Sequence, residues 1–395
     1  MKLEKSEEVF KLVAKTFQGL EGVLASELKS IGAKNVEIQN RAVIFDGDKA
    51  MIYRANYHVR TAIAILKPLL KFTAENEDQL YKNVGKINWN KYMSVDDTLS
   101  VSAVTFGKTF THSKYVSLKV KDAIVDQFRR RQGKRPDVNT MSPDLKIHIH
   151  ISEKDCTILL DSSGDPLFKR GYRIKTVKAP INEVLAAGMI KLSDWNINSN
   201  FVDPMCGSGT ILIEAAMMAY NIAPGTYRKR FGFENWNDFD ADLFDDVAEE
   251  SFNEIDFKYT ISGSDISPTA VAIANENIKN AFLTKKISVT QQNFFDIKPN
   301  TDNTVIITNP PYGERLQPAD LKIFYQKIGD KLKLDFAGYT CWLIGSNIDV
   351  LKFVGLKPDE KITLYNGPLE CSYRKYSLYQ GSKKNATRKF IKNKD

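Results

Sequence analysis

Asn309-Pro310-Pro311-Tyr312 follows directly on the apolar run Val305-Ile306-Ile307 and precedes Gly313, which puts these four residues in the loop that leaves a buried strand. Loops at that place carry the chemistry of α/β enzymes. The Asn side-chain carbonyl and the carbonyl of the first proline can together accept hydrogen bonds from one planar amino group, while the Tyr ring stacks on the heterocycle that bears it. The loop reads as a receptor for a nucleobase amine. It also reads as a rigid turn, because two prolines fix two φ angles and a following aromatic can cap a core.

A second loop begins where the strand Phe201-Val202-Asp203 runs through Pro204-Met205-Cys206-Gly207-Ser208-Gly209 into a helix opening at Thr210. Its glycines admit a ligand close to the backbone. A dinucleotide fingerprint needs a third glycine at position 212, which is Leu212, and a phosphate-gripping loop needs Gly-Lys-Ser/Thr, which is absent. Asp203 suits a cationic ligand such as the α-amino group and sulfonium of S-adenosylmethionine, and it would oppose a pyrophosphate. Asp265, followed by Ile266, closes the next strand, where a carboxylate can accept bonds from both ribose hydroxyls. Asp296 follows Phe294 and Phe295 after the strand beyond, where it can accept from an adenine amino group with a ring packed on the base. Singly, each of these acids also suits a helix cap or a solvated turn, and the glycines suit a structural turn. As an ordered set, strand by strand, they describe a cofactor crevice facing a base pocket.

The elements that would hold this set alternate from Ala179 onward: helix Ile181 to Trp195, strand Asn200 to Asp203, helix Thr210 to Ala219, strand Thr260 to Asp265 and helix Pro268 to Asn280. Strands follow at Ile287 to Gln291 and Thr304 to Thr308, then a helix at Leu321 to Leu332 and a strand at Tyr339 to Ile344. This alternation predicts a doubly wound, mostly parallel sheet. Ile362 to Leu364 and Tyr373 to Leu378 have no helix between them and should pair antiparallel at one edge. Residues 224–258 interrupt the rhythm with aromatic and acidic residues and read as an insertion. Within it, Tyr227-Arg228-Lys229-Arg230-Phe231-Gly232-Phe233 suits either stacking on unpaired bases or a packed lid.

The first 165 residues mix helices and strands and read as α+β, closing in a hairpin of Leu145 to Ile151 and Cys156 to Asp161. A basic helix from Lys114 to Arg131 ends in Arg129, Arg130, Arg131, Lys134 and Arg135. These cations suit RNA phosphates, or a solvated helix end favoured by the helix dipole. The net charge of +8 favours polyanionic partners. Four separated cysteines without a Cys-x-x-Cys pair indicate neither disulfides nor zinc, and His148 and His150 read as strand-surface residues rather than metal ligands. A polar N-terminus and the lack of a long apolar run predict a cytoplasmic protein with no membrane partner.

Asp203 to Thr210 and Asn309 to Tyr312 resemble the signatures of class I S-adenosylmethionine-dependent amino-methyltransferases. Thr308 to Leu316, Asn366 to Cys371, Arg170-Gly171-Tyr172-Arg173 and Ala179-Pro180 with Glu183-Leu185-Ala186-Ala187 resemble the bacterial 23S ribosomal RNA guanine-N2-methyltransferases. Gly19-Leu20-Glu21-Gly22, Pro143-Asp144 and Asp161 to Gly164 are similar to the ferredoxin-like and THUMP modules that precede such catalytic domains. The resemblance implies a Rossmann-like class I methyltransferase domain, mostly parallel with an antiparallel edge, over residues 166–381, carrying the 224–258 insertion. It implies an α+β ferredoxin-like and THUMP RNA-binding region over 1–165, with THUMP at about 45–156, and leaves 382–395 as a basic tail expected to be disordered.

Carried onto this chain, the resemblance implies Asn309, Pro310 and Tyr312 as catalytic and S-adenosylmethionine as cofactor. The cofactor would be held by Asp203, Cys206, Gly207, Gly209, Thr210, Asp265, Ile266, Phe295, Asp296 and Asn309. Pro311 and Arg315 would meet the substrate base, with the basic helix end on the RNA. Transfer to an amine in this way requires neither a metal nor a strong base. The expected substrate is a guanosine N2 amine in 23S rRNA or a ribosomal precursor. The rivals are a tRNA guanine-N2-methyltransferase, a DNA adenine-N6 methylase and a non-catalytic RNA-binding assembly factor. Longer members of the family carry a second methyltransferase domain, for which 395 residues leave no room.

Overall fold

Leu145, Ile147, Ile149 and Ile151 alternate with Lys146, His148, His150 and Ser152, so a strand here buries one face and turns the other outward, as it does in the computed structural model of the chain. The structure describes residues 8–177, 180–193, 195–250, 255–299, 303–311 and 318–379. It divides into a unit of Met1–Thr16, Leu24–Lys169 and Arg228–Phe252 and a unit of Phe17–Val23, Arg170–Tyr227 and Asn253–Asp395.

In the first unit, strands β1 (Phe10–Lys15), β2 (Lys34–Gln39), β3 (Ala42–Gly47), β4 (Ala64–Thr73), β5 (Thr98–Phe106), β6 (Asp137–Val138), β7 (Leu145–Ser152) and β8 (Asp155–Asp161) form one sheet. Its order is β2-β3-β1-β4-β8-β7-β5-β6, and only the β5–β6 and β5–β7 pairs run parallel. Helices α1 (Glu21–Ser30), α2 (Lys49–His58), α3 (Glu77–Val84) and α4 (Ser113–Gln132) complete the α+β pattern, with α1 crossing the division at its first turn. In α4 the buried Val116, Val120, Ala123, Ile124 and Phe128 recur at helical spacing. Its chain reversal is made by Gly133 at φ +72°, whose N–H donates to the Arg129 carbonyl.

Arg228–Phe252, from the stretch that reads as an insertion into the second half, folds with this first unit. Phe231 and Phe233 are 3% and 0% exposed, and the Phe233 ring lies 4.5 Å from that of Tyr53. The Arg228 guanidinium donates to the carbonyls of Ser163, Asp165, Pro166 and Lys169. Rings that looked available for unpaired bases are therefore spent on packing. A helix within the segment (Ala241–Glu249) buries Val247 and adds Phe244 to the same cluster, and Arg54 pairs with Glu250 at 2.6 Å.

The second unit alternates as expected. Helix α5 (Glu183–Leu192), β9 (Asn200–Asp203), α6 (Thr210–Ala219), β10 (Ile261–Asp265), α8 (Pro268–Asn280), β11 (Ile287–Gln291), β12 (Thr304–Thr308), α9 (Pro318–Asp335), β13 (Thr340–Gly345), β14 (Glu360–Asn366) and β15 (Leu369–Ser377) follow in turn, α7 being the Ala241–Glu249 helix. The sheet order is β11-β10-β9-β12-β13-β15-β14. β9 to β13 run parallel, and β15 is antiparallel to both β13 and β14. The parallel strands are buried on both faces, Phe201, Ile306, Ile307, Cys341 and Trp342 being at most 1% exposed. Chain order reverses at β9, which pairs with β10 on one side and β12 on the other. Loops leaving β9 and β12 must then part in opposite directions and open a crevice between them.

Among the described residues no helix is long and apolar enough to cross a membrane, and the four cysteines are buried free thiols. The tail 382–395, together with Tyr312, Gly313, Glu314, Arg315, Leu316 and Ala179, lies outside the described residues.

Candidate functional site

At the reversal between β9 and β12 the second unit encloses a cavity of about 390 Å³, a size suited to a small ligand. The β9 loop contributes Asp203, Met205, Cys206, Gly207, Ser208 and Thr210; the β10 loop contributes Asp265, Ile266 and Ser267. Asn293, Phe294 and Phe295 enter after β11, Asn309 and Pro311 after β12, and Phe324 from α9. Among these described lining residues there are two carboxylates and no Lys, Arg or His. Such a lining disfavours phosphates and accepts a cation.

Asp203 is 1% exposed and ends β9. The Thr308 hydroxyl, at the end of β12, donates to its Oδ1 at 2.8 Å, and the Met205 N–H donates to the same oxygen at 3.2 Å. Burial pushes its carboxyl up to about 7, against the opposing pull of those two hydrogen bonds. A cation brought beside it would lower it again.

Asp265 takes one backbone donor on each oxygen, Gly207 N–H on Oδ2 and Ser267 N–H on Oδ1, both at 2.9 Å. It thus ties the β9 loop to the start of α8 while a second lone pair on each oxygen stays available to hydroxyls. Gly207 sits at φ +53°, and a Cβ there would meet only Val177 Cγ2 at 3.6 Å, so the missing side chain leaves the loop open to the cavity. Gly263 on β10 is needed for packing instead: a Cβ would fall 2.4 Å from Leu212 Cδ1 and 3.0 Å from the Asp203 carbonyl.

Cys206 borders the cavity, but burial raises its thiol and keeps it protonated, so it is no nucleophile. Ile266, 65% exposed, and the half-buried Phe295 supply apolar walls for a flat heterocycle. Asn309 is half-buried and Pro310 buried; of Asn309, Pro310 and Pro311, the first and the last border the cavity. Gly209, at φ +80°, precedes α6 without facing the cavity. Asp296 is exposed and off the lining; the polar group there is Asn293, whose Oδ1 accepts from Phe295 N–H at 3.2 Å. Tyr312 and Arg315 are outside the described residues.

Residues that the local patterns do not single out form a largely buried polar network that reaches Thr210 at the end of the loop. Arg170 pairs with Glu214 of α6 at 3.3 Å, the two side chains being 1% and 0% exposed, and the Tyr172 hydroxyl donates to the same carboxylate. Arg173 donates to Thr210 Oγ1 and the Ile181 carbonyl, both at 2.7 Å, and pairs with Glu183. The sequence signals here are the resemblance of Arg170 to Arg173 and of Glu183, and Thr210 of the glycine loop; Glu214 carries none.

Arg129, Arg130, Arg131, Lys134 and Arg135 are all exposed at the end of α4, in the first unit rather than around the cavity. Arg131 donates to Asn88 Oδ1 at 2.9 Å, and Arg129 lies 3.7 Å from Asp126. His148 is bonded between Ser102 and Asp161, a cross-strand contact of the first sheet. Among the described residues no cluster of His, Cys, Asp and Glu could hold a metal.

Comparison with known proteins matches residues 170–375 to the RMKL-like methyltransferase domain, residues 74–161 to the THUMP domain and residues 11–66 to the RlmL ferredoxin-like domain. A Synechocystis sp. protein provisionally described as an RNA methyltransferase is 38% identical over 92% of this chain and 95% of its own. A Shewanella frigidimarina protein named ribosomal RNA large subunit methyltransferase K/L is 36% identical over 95% of this chain. The chain spans 54% of that relative's length. A crystal structure described as a methyltransferase in complex with S-adenosylhomocysteine is 32% identical, with a TM-score of 0.84 over 95% of this chain and 99% of that one. S-adenosylmethionine fits the cavity's donor set: a buried acid for its cationic end, a second acid for its diol and apolar walls for its base.

Proposed function

This chain belongs to the RMKL-like methyltransferase family, and we propose on that footing that it methylates the exocyclic N2 amine of a guanosine in large-subunit ribosomal RNA. What carries the reading is the half-buried Asn309 carboxamide, which borders the same cavity as Asp203 and Asp265 at the reversal point of the sheet. Support for RNA comes from the THUMP match and from the names of the Synechocystis and Shewanella relatives. A cytoplasmic location follows from that substrate.

The cofactor, S-adenosylmethionine, supplies when bound an electrophilic methyl group on a sulfonium. Asp203 and Asp265 hold its charged end and its ribose, with Ile266 and Phe295 against its base. Cys206, Gly207 and Thr210 shape the floor. The guanine amine is a poor nucleophile because its lone pair is delocalised into the ring. The Asn309 side-chain carbonyl and the Pro310 carbonyl accept its two hydrogens, which favours the pyramidal nitrogen and aims the lone pair. Pro311, Tyr312 and Arg315 complete the base pocket in this scheme. A paired target must first leave its stack, at a cost of a few kcal/mol. The exposed cations at the end of α4 take phosphates of the RNA.

The test gives purified protein labelled S-adenosylmethionine together with rRNA, tRNA or DNA, and identifies the modified nucleoside by mass spectrometry. N2-methylguanosine in large-subunit rRNA is the expected product. N6-methyladenine, or label confined to tRNA, would replace the substrate assignment, and no transfer to any of the three would remove the enzymatic reading.

A further inference from the structure

Asn277 lies in the third turn of α8, 1% exposed, and every hydrogen-bonding position of its carboxamide has a backbone partner. Oδ1 accepts from Ile174 N–H at 3.2 Å and from Lys175 N–H at 3.4 Å. Nδ2 donates to the Lys175 carbonyl and to the Ser208 carbonyl, each at 3.0 Å. One side chain therefore joins two segments that are distant in sequence. Ser208 belongs to the glycine loop and borders the cavity. Lys175 is two residues before Val177, which borders the cavity too and stands opposite the open side of Gly207.

The helix that presents Asn277 is itself anchored at the cavity. Ser267 caps its first turn, accepting from Ala270 N–H at 3.3 Å, and Ser267 in turn donates its own N–H to Asp265. A small error in the helix would thus move Asp265, the glycine loop and the 174–177 segment together. A side chain needed only for stability could face any partner. This one selects the two backbone segments between which the ligand space opens.

We propose that Asn277 is a positioning residue of the cofactor site, setting the spacing between the 174–177 segment and the glycine loop so that Val177 and Ser208 close on S-adenosylmethionine. The proposal rests on the cofactor reading alone and is indifferent to which RNA nucleoside is methylated.

Asn277→Asp keeps the acceptors and loses both donors, leaving a carboxylate against the Lys175 and Ser208 carbonyls. In the full-length protein, calorimetry with S-adenosylhomocysteine should show affinity reduced at least tenfold. The KM for S-adenosylmethionine should rise comparably, while kcat at saturating cofactor and affinity for rRNA stay within about twofold. A lowered melting temperature with unaltered S-adenosylhomocysteine affinity would overturn the proposal.

A second measurement needs no variant and covers the case in which the substitution prevents folding. In the wild type, hydrogen exchange at the Ile174 and Lys175 amides should slow on addition of S-adenosylhomocysteine. Equal exchange with and without that ligand would overturn the proposal, because those amides would then be indifferent to the cavity. A wild type that binds no S-adenosylhomocysteine would instead break the cofactor reading beneath it.

Discussion

The two sheets of this molecule handle polar chemistry differently. In the seven-stranded, mostly parallel sheet, the reversal at β9 brings Asp203 and Thr308, 105 residues apart, to a 2.8 Å hydrogen bond beside the cavity. In the eight-stranded, mostly antiparallel sheet no comparable reversal gathers the loops, and its cations stand exposed at the end of α4. The first arrangement works through atoms held to a few tenths of an ångström. In the proposed scheme the second would work through summed charge, which tolerates displacement because Coulomb attraction falls slowly over the ~8 Å screening length of physiological salt. One region should therefore fail at single atoms and the other only by accumulation.

The sharpest test of that contrast is Asn309→Ala. Removing one preorganised group around a reacting centre costs about 10²–10³ in rate. Turnover should fall by that factor while S-adenosylhomocysteine affinity changes by less than about threefold, since Asp203 and Asp265 remain. Wild-type kcat in this variant would take Asn309 out of the reaction and leave the crevice with no claim to atomic precision.

Next in size is the joint replacement of Arg129, Arg130 and Arg131 by Ala. A phosphate contact contributes about 0.9 to the salt slope, which at 0.15 M is roughly fivefold in affinity, so three contacts should cost on the order of 10². The slope of log K against log salt should flatten by about 3 in filter-binding measurements. Cofactor affinity should be unchanged. A flat response to all three would remove the basic helix end from the RNA interface.

The crevice should also respond to pH where the helix end does not. Because burial raises the Asp203 carboxyl to about 7, a cationic ligand that requires the ionised form should lose affinity about tenfold per pH unit below 7. The stability effect has the opposite sense. A carboxyl raised in the folded state above its ordinary 3.8 favours folding most at low pH, and that contribution is lost as pH rises through about 7. Asp203→Asn should therefore melt higher than wild type at pH 8, with the gap closing toward pH 4, and should bind S-adenosylhomocysteine with little pH dependence. Unaltered pH dependence in the variant would assign the titration to another group.

Much of the catalytic unit was legible because its punctuation is local. Ser267 as a cap with Pro268 in the first turn defines α8, and Thr304 to Thr308 is a short apolar run bounded by turn residues, so both elements fall where the pattern puts them. Helix α3 was not foreseen, because only Leu80 and Val84 of its eight residues are buried and no apolar stripe announces it. The 224–258 stretch reads as an insertion by its position in the chain, whereas its Phe233, Phe239 and Phe244 rings find their partner in Tyr53 of the first unit. Of the acids expected at the cavity, Asp203 and Asp265 border it because each ends a strand, and Asp296, in the 3-10 turn after Asn293, is exposed and off the lining that Asn293 joins. Asn277 and Arg173 gave no local signal, since their partners are backbone groups, a hydroxyl and a carboxylate supplied by the fold.

The smallest effects lie within the basic helix end, and they bear most directly on whether charge there truly acts by summation. Arg131 is held by Asn88 Oδ1 at 2.9 Å, so its guanidinium is already placed and little side-chain entropy is lost on meeting a phosphate. Arg129 has 60% of its side chain exposed and shares its charge with Asp126 at 3.7 Å. Arg131→Ala should then cost about fivefold in rRNA affinity at 0.15 M salt and Arg129→Ala about twofold, each flattening the salt slope by no more than about 1. Both losses should be equal for rRNA fragments of different sequence, because phosphates carry no base identity. A loss confined to one RNA sequence, or a single substitution costing far more than fivefold, would mean that this helix end reads its partner through fixed geometry, as the crevice does.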